Sequence, residues 1–296
     1  RMELEDESGR QDPLAEESLS PVPNLVHRYP NRVLWLVSQQ CALHCRFCTR
    51  KRRWKDPLPL TRDSFHGALD YIRSHHEVRD VILSGGDPLL LPPPRLESIL
   101  KHLRKVPHVA VIRIGTRVPC ALPEIVTGDL SDMLARYHPV FVNVHFNHPR
   151  EITRESSLAC TTLANAGIPL GSQTVLLRGI NDRAEVLAAL FQGLLALRVR
   201  PYYLMQMDLI QGAAHFRTPL STGLSILSRL RNRISGLAMP HFVVDLPGGR
   251  GKVPLVPDCI EAVDQGRLMM KDYLGNICPY PLLPGEEADL AGMLKR

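Results

Sequence analysis

No stretch of this chain approaches the roughly 20 consecutive apolar residues that a bilayer-spanning helix needs. Its opening, RMELEDESGR, lacks the basic-then-apolar plan of a secretion leader. A soluble protein without a membrane partner is expected, by default in the cytoplasm. Cysteine occurs seven times, an odd number with three clustered, so the even framework of a disulfide-stapled domain is missing. No G-x-G-x-x-G follows a first strand, which leaves the doubly wound dinucleotide sheet as a runner-up without its fingerprint. The segment Asp245-Leu-Pro-Gly248-Gly249-Arg250-Gly251-Lys252 imitates a phosphate loop but fails that test. Leu246 stands where the leading glycine belongs, and Val253 where Ser or Thr would take magnesium.

What remains is a chain of 296 residues, 44% hydrophobic and 22% charged, able to bury one barrel-sized core or two smaller ones. Its net charge of +6 is unevenly spread: residues 1–18 hold seven acids and two bases, and residues 46–55 hold six bases. The basic run RFCTRKRRWK reads first as a solvated face, or as partners for the carboxylates and phosphates of small ligands. A nucleic-acid partner is not expected. Residues 1–25, acidic and punctuated by Pro13, Pro21 and Pro23, read as an extended arm with no identifiable chemistry.

Beyond the arm, short apolar runs alternate with helical patterns. Strands are predicted at 33–37, 81–83, 109–114, 140–144, 173–177, 202–205 and 242–244. Helices are predicted at about 62–74, 95–105, 129–137, 151–166, 183–198 and 219–235, with Thr61, Asp129 and Asn181 as capping candidates. About six βα units in this order predict a parallel sheet closed into a partial (β/α) TIM-like barrel over residues 26–255, with 256–296 as a C-terminal extension. Such barrels place their chemistry at the C-terminal strand ends. Here those ends carry the cysteine loop, Ser84-Gly85-Gly86-Asp87, Arg117, His145 with Asn147 and His148, Gln173, Asp208, and Asp245 with the glycine-rich turn before Lys252.

Cys41-Ala-Leu-His-Cys45-Arg-Phe-Cys48 places three thiols within eight residues, suited to one corner of a 4Fe-4S cluster. Three rather than four protein ligands leave one iron open to S-adenosylmethionine. A zinc knuckle is the competing reading, but it wants a fourth ligand, and His44 beside Cys45 is poorly placed to close a tetrahedron. Cys120, Cys160, Cys259 and Cys278 are scattered and read as small core residues. Gly85 and Gly86 would let backbone approach a ligand, although Gly-Gly-Asp alone is equally an ordinary turn. A flexible turn ending in Lys252 suits Schiff-base chemistry with an aldehyde such as pyridoxal phosphate, against the alternative of a solvated surface lysine.

The C-x3-C-x2-C loop resembles that of the radical S-adenosylmethionine superfamily. The stretches LVHRYPNRVLWLVSQQCALHCRFCTRKRR, VRDVILSGGDPLL, VNVHFNHPREIT, RVRPYYLMQMDLIQGAAHFRTP and FVVDLPGGRGKVPLVP resemble lysine 2,3-aminomutase and its relatives, in the family's order, from about residue 20 to 280. The resemblance implies a radical isomerase that interconverts an α- and a β-amino acid, with a 4Fe-4S cluster on Cys41, Cys45 and Cys48. It also implies S-adenosylmethionine near Ser84, Gly85, Gly86, Asp87, His145 and Asn147, and pyridoxal phosphate on Lys252 near Arg28, Arg32 and Gln173. Arg50 corresponds to the arginine that takes the substrate carboxylate, and Asp208 and Asp245 to acids that grip a distal ammonium. That acid pair points to a basic amino acid, lysine before arginine or ornithine.

Arg183 stands where some members have a zinc-binding cysteine, and the ending ADLAGMLKR lacks their cysteine cluster, so zinc and the contact it supports are not expected. A homo-oligomer and a cellular electron donor for the cluster remain expected partners. Three alternatives stay open: a β-lysine-forming enzyme for elongation-factor modification, a radical RNA-modifying enzyme, and a non-catalytic Fe-S or zinc nucleic-acid module.

Overall fold

The computed structural model describes residues 3, 6, 8–256, 259–272, 274–288 and 290. Part of the predicted arm and most of the ending ADLAGMLKR lie outside the described residues.

A hairpin opens the fold: β1 (Leu25–Tyr29) pairs antiparallel with β2 (Arg32–Ser38). From β2 the chain alternates strand and helix. In order these are α1 (Arg62–Ser74), β3 (Asp80–Gly85), α2 (Pro93–Arg104), β4 (Val111–Thr116), α3 (Gly128–Ala135), β5 (Val140–His145), α4 (Arg154–Asn165), β6 (Leu170–Leu176), α5 (Ala184–Ala196), β7 (Val199–Gln206), α6 (Leu220–Leu230) and β8 (His241–Leu246). A final antiparallel strand, β9 (Gly251–Pro254), folds back on β8. The nine strands follow chain order in one sheet, and β2 to β8 are parallel. Parallel neighbours require crossovers, which the helices supply. The result is the predicted partial barrel of six βα units plus a seventh strand.

The alternation along the strands explains which side is which. On β4, Ile112 and Ile114 are fully buried, while Arg113 and Gly115 between them line an internal cavity. The apolar half of the period packs outward on the helices, among Leu69, Ile72, Leu100, Leu163 and Leu190. The other half faces inward and includes Ser84, Arg113, Asn143, His145 and Gln173. A closed barrel of eight strands fills its interior with branched apolar side chains; this open one keeps a lumen into which charged and polar side chains reach between apolar ones.

Thr61 caps α1 as predicted, in a reciprocal pair with Ser64, an arrangement worth ~1 kcal/mol. The other two capping candidates are corrected. Thr127, not Asp129, caps α3. Asn181 lies ahead of α5, whose N-cap position is Arg183, and is fully buried. Its side chain accepts from Leu177 N at 2.7 Å and donates to Asn147 O and Val175 O at 2.8 Å each, tying the ends of β5 and β6 together. After residue 255 the chain forms a separate antiparallel sheet of Ile260–Asp264, Arg267–Lys271 and Ile277–Pro281, which the apolar pattern did not reveal.

The arm is not a free extension. Arg10 bridges Ile210, Gly248 N donates to Pro13 O at 3.1 Å, and His27 N donates to Leu19 O at 2.9 Å. Residues 10–19 therefore strap the lysine turn and the loop after β7 to the cysteine loop.

Candidate active site

Because β2 to β8 run the same way, their C-terminal ends gather around one cavity of about 450 Å3. Cys41, Cys45, Cys48, Arg50, Ser84, Gly85, Gly86, Asp87, His145, Gln173, Asp208, Asp245, Lys252, Arg28 and Arg32 all line it. Asn147 and His148 do not.

The cysteine loop follows β2. Phe47, between the second and third cysteines, packs against the apolar cluster of Val175, Leu177, Met207, Ile210, Ala213 and Phe216, which pins the loop over the lumen. Among the described residues no three His, Cys, Asp or Glu side chains converge around a single ion. A cubane that takes one thiolate per iron does not need them to. Burial, then the neighbouring Cys48, pushes the Cys41 thiol up to about 11, and burial also raises Cys48. Cys41, Cys45 and Cys48, soft thiol donors within eight residues, all line one cavity, so the donor set fits an iron–sulfur cluster. Arg117 Nη1 donates to Cys45 Sγ at 2.8 Å while its Nη2 pairs with Glu151 at 2.7 Å, placing a guanidinium beside the cysteine. Burial, then Arg117, depresses His145 to about 4, so His145 is a neutral ring. Cys160 is a core residue as expected, whereas Cys278 is exposed.

The turn after β3 is built differently from expectation. A Cβ on Gly85 would stand 2.2 Å from Ser38 O, and one on Gly86 2.3 Å from Gln40 O; Gly85 also has φ +116°. Gly86 N and Asp87 N donate to those two carbonyls at 2.7 and 2.6 Å. The glycines thus let this turn zip onto the start of the cysteine loop. Asp87 is buried at the cavity wall and its carboxylate accepts from Thr116 Oγ1, Arg117 N, Val118 N and Leu89 N at 2.7 to 3.2 Å, so it shapes the loops around the lumen. Asn147 likewise accepts from Val175 N at 2.8 Å behind the cavity wall.

Across the lumen, the antiparallel register sets Asp245 opposite Lys252. The intervening turn joins two strands, not a strand and a helix, which settles that it is no phosphate loop. Lys252 Nζ donates to Asp245 Oδ2, and Lys252 N donates to Tyr29 Oη at 3.0 Å. Arg28 pairs with the same carboxylate at 3.0 Å. Asp208, with no such partner, is pushed up to about 7 by burial and then by Asp245. Arg32 lies over the Tyr29 ring at 4.2 Å, and its buried Nε has no hydrogen-bond partner, a donor free for a phosphate.

Arg50 holds the largest surprise. It donates from Nε and Nη2 to both oxygens of Glu16 at 2.6 to 3.0 Å, and from Nη1 to Ser84 Oγ at 3.3 Å and Gly85 O at 3.4 Å. Arg52 reaches Glu16, Asp12 and Glu17, and Arg53 reaches Glu17. Burial would raise the Glu16 carboxyl, but Arg50 and Arg52 hold it below the usual carboxylate range. The basic run is therefore no solvated face, and the arm's acids are its partners. The charge asymmetry of the two segments was the signal that could have found Glu16.

Comparison with known proteins agrees with this architecture. The sequence model of the radical SAM superfamily matches residues 35–191, and that described as lysine-2,3-aminomutase matches residues 227–289. The chain is 50% identical to the L-lysine 2,3-aminomutase of Fusobacterium nucleatum, over 91% of this chain and 64% of that protein. It is 44% identical to a putative L-lysine 2,3-aminomutase of Aquifex aeolicus (92% and 74%) and 42% identical to the glutamate 2,3-aminomutase of Clostridioides difficile (93% and 66%). Among solved structures, a radical SAM methyltransferase from Sphaerobacter thermophilus aligns with a TM-score of 0.51 at 20% identity, over 75% of this chain and 68% of that one. Native anSMEcpe with bound AdoMet aligns at 0.52 and 12%, over 68% and 58%. Both share the fold. The chain belongs to the lysine 2,3-aminomutase family of the radical SAM superfamily. It spans 64–66% of the length of the L-lysine 2,3-aminomutases from Fusobacterium nucleatum, Clostridium subterminale and Acetoanaerobium sticklandii.

Proposed function

We propose that this chain is an isomerase that moves an amino group between carbons 2 and 3 of a basic amino acid, with L-lysine as substrate and β-lysine as product. One observation carries the reading: a single lumen is lined by three thiols from the loop after β2 and by Lys252, Asp208 and Asp245 from the other end of the sheet. Cys41, Cys45 and Cys48 would hold the 4Fe-4S cluster, the turn at Ser84–Gly86 and His145 would border S-adenosylmethionine, and Lys252, Arg32, Arg28 and Gln173 would hold pyridoxal phosphate. When bound, these groups supply a carbon radical that takes hydrogen from the substrate and an aldehyde that carries the migrating amine.

The chain's own residues do the placing. Arg50 offers guanidinium N–H groups to the substrate carboxylate, a geometry suited to a planar anion. Asp208, short of a cation in its buried site, takes the side-chain ammonium. Asp245 steadies Lys252 Nζ at the strand edge. The surrounding barrel excludes water from the radical, and bringing the reacting centres together supplies about 7 to 11 kcal/mol in favourable cases. The acids weigh against the acidic substrate of the glutamate-specific relative. The units 1–25, 26–255 and 256–296 would be functional divisions, with the barrel carrying nearly all of the site.

Anaerobic reconstitution with iron, sulfide, S-adenosylmethionine, pyridoxal phosphate and dithionite tests this. The expected result is about four irons per chain, lost in Cys41→Ser, and conversion of L-lysine but not L-glutamate. Conversion of glutamate, or iron content unaffected by Cys41→Ser, would overturn the reading.

A further inference from the structure

The acidic arm contributes one group to the lumen whose role the proposed reaction leaves unexplained. Glu16 is 5% exposed, lines the cavity and grips Arg50 side-on through Nε and Nη2. Its second oxygen is shared with Arg52 at 3.3 Å. Arg50 Nη1 is held separately by Ser84 Oγ and Gly85 O. A long arginine side chain is thus clamped at both ends of its guanidinium plane, by the arm on one side and the turn after β3 on the other.

We infer that Glu16 is a positioning residue: it fixes the plane and rotamer of Arg50, so that the substrate carboxylate meets a preoriented Nη2 N–H, joined by Nη1 as the longer contacts to Ser84 Oγ and Gly85 O give way. The inference rests on the assignment of Arg50 to the substrate carboxylate. The charges support it. Arg50, Arg52 and Arg53 are matched by Asp12, Glu16 and Glu17, so the arriving carboxylate meets a locally neutral, rigid set of donors instead of a mobile cation. Binding then loses less side-chain entropy, which is how preorganisation raises affinity. An Arg50 without these partners could pair with any anion in the lumen, including the carboxylate of S-adenosylmethionine. Fixing its plane gives it a single partner.

The test is equilibrium binding by anaerobic calorimetry on the reconstituted chain without reductant, so that nothing turns over. The ligands are L-lysine and L-lysinamide, which differ only in the carboxylate. Wild type should prefer lysine. In Glu16→Gln the charge is lost, and an NH2 group faces Arg50 and Arg52 where the second carboxylate oxygen accepted from both. Lysine binding should weaken tenfold or more and lysinamide binding less than threefold. Glu16→Asp keeps the charge but, one methylene shorter, sets its carboxylate back from the guanidinium, and should show the same selective loss at smaller size, which preserves the test if Glu16→Gln does not fold. Equal weakening of both ligands would mean that Glu16 only packs the arm, and unchanged or tighter lysine binding would mean that it competes with the substrate. Each result overturns the inference while leaving the reaction intact. A wild-type chain that does not distinguish lysine from lysinamide would instead remove the assignment of Arg50, and the inference with it.

Discussion

Asp208 makes the sharpest claim on solution behaviour. Its carboxyl is pushed up to about 7, first by burial and then by the charge of Asp245, against the weaker pull of Lys252 and Arg28. A proton therefore occupies the site at pH values where an ordinary aspartate is ionised. A substrate ammonium placed there must expel that proton, so affinity for a cationic side chain should rise with pH and level off above about 7. Each pH unit below that point should cost about tenfold, or roughly 1.4 kcal/mol. The perturbation is a shift from pH 8 to pH 6, and the readout is the Kd of L-lysine on the reconstituted chain without reductant. L-2-aminohexanoate, of the same length but without the terminal ammonium, serves as control. Lysine should weaken about tenfold while the control stays flat, and Asp208→Asn should abolish the step. A lysine Kd independent of pH, or the same slope for both ligands, would refute the placement of the ammonium at Asp208.

Two further outcomes follow from the packing. Gly85→Ala sets a Cβ 2.2 Å from Ser38 O at a backbone angle that L-residues rarely adopt, and should cost about 2 kcal/mol or more, read as a lowered thermal midpoint with loss of cluster loading. Asn181→Ala removes three buried hydrogen bonds and leaves Leu177 N, Val175 O and Asn147 O wanting partners. A loss of about 2 to 4 kcal/mol in urea unfolding is expected; a change below 1 kcal/mol would mean that the network relaxes onto other groups.

The barrel was legible because its two periodicities are strong: every predicted strand and helix overlaps an observed one, and Thr61 caps where its spacing says it should. The edges were less so. β1 and β9 are strands of five and four residues, too short for a clear period, and the last sheet is too exposed to carry an apolar signal. Within the site, the residues on strand ends reached the lumen because a parallel sheet delivers them there. Asn147 lies behind the wall because a polar side chain beside a strand end can equally be spent on backbone N–H groups. Glu16 was invisible for the opposite reason: its partner lies 34 residues away, and only the charge balance of the arm and the basic run connects them.

The sheet's outer strands, β1 and β9, share no backbone ladder. β1 meets β9 through Tyr29 Oη on Lys252 N, and β8 through Arg28 on Asp245. The clasp of the barrel is thus fastened by the same side chains that would handle cofactor and substrate. A dead Arg28 variant would not by itself name a chemical role, because the ring would be unbuckled as well as disarmed. Genetic dissection of this site needs substitutions that keep the seam shut while changing what it holds.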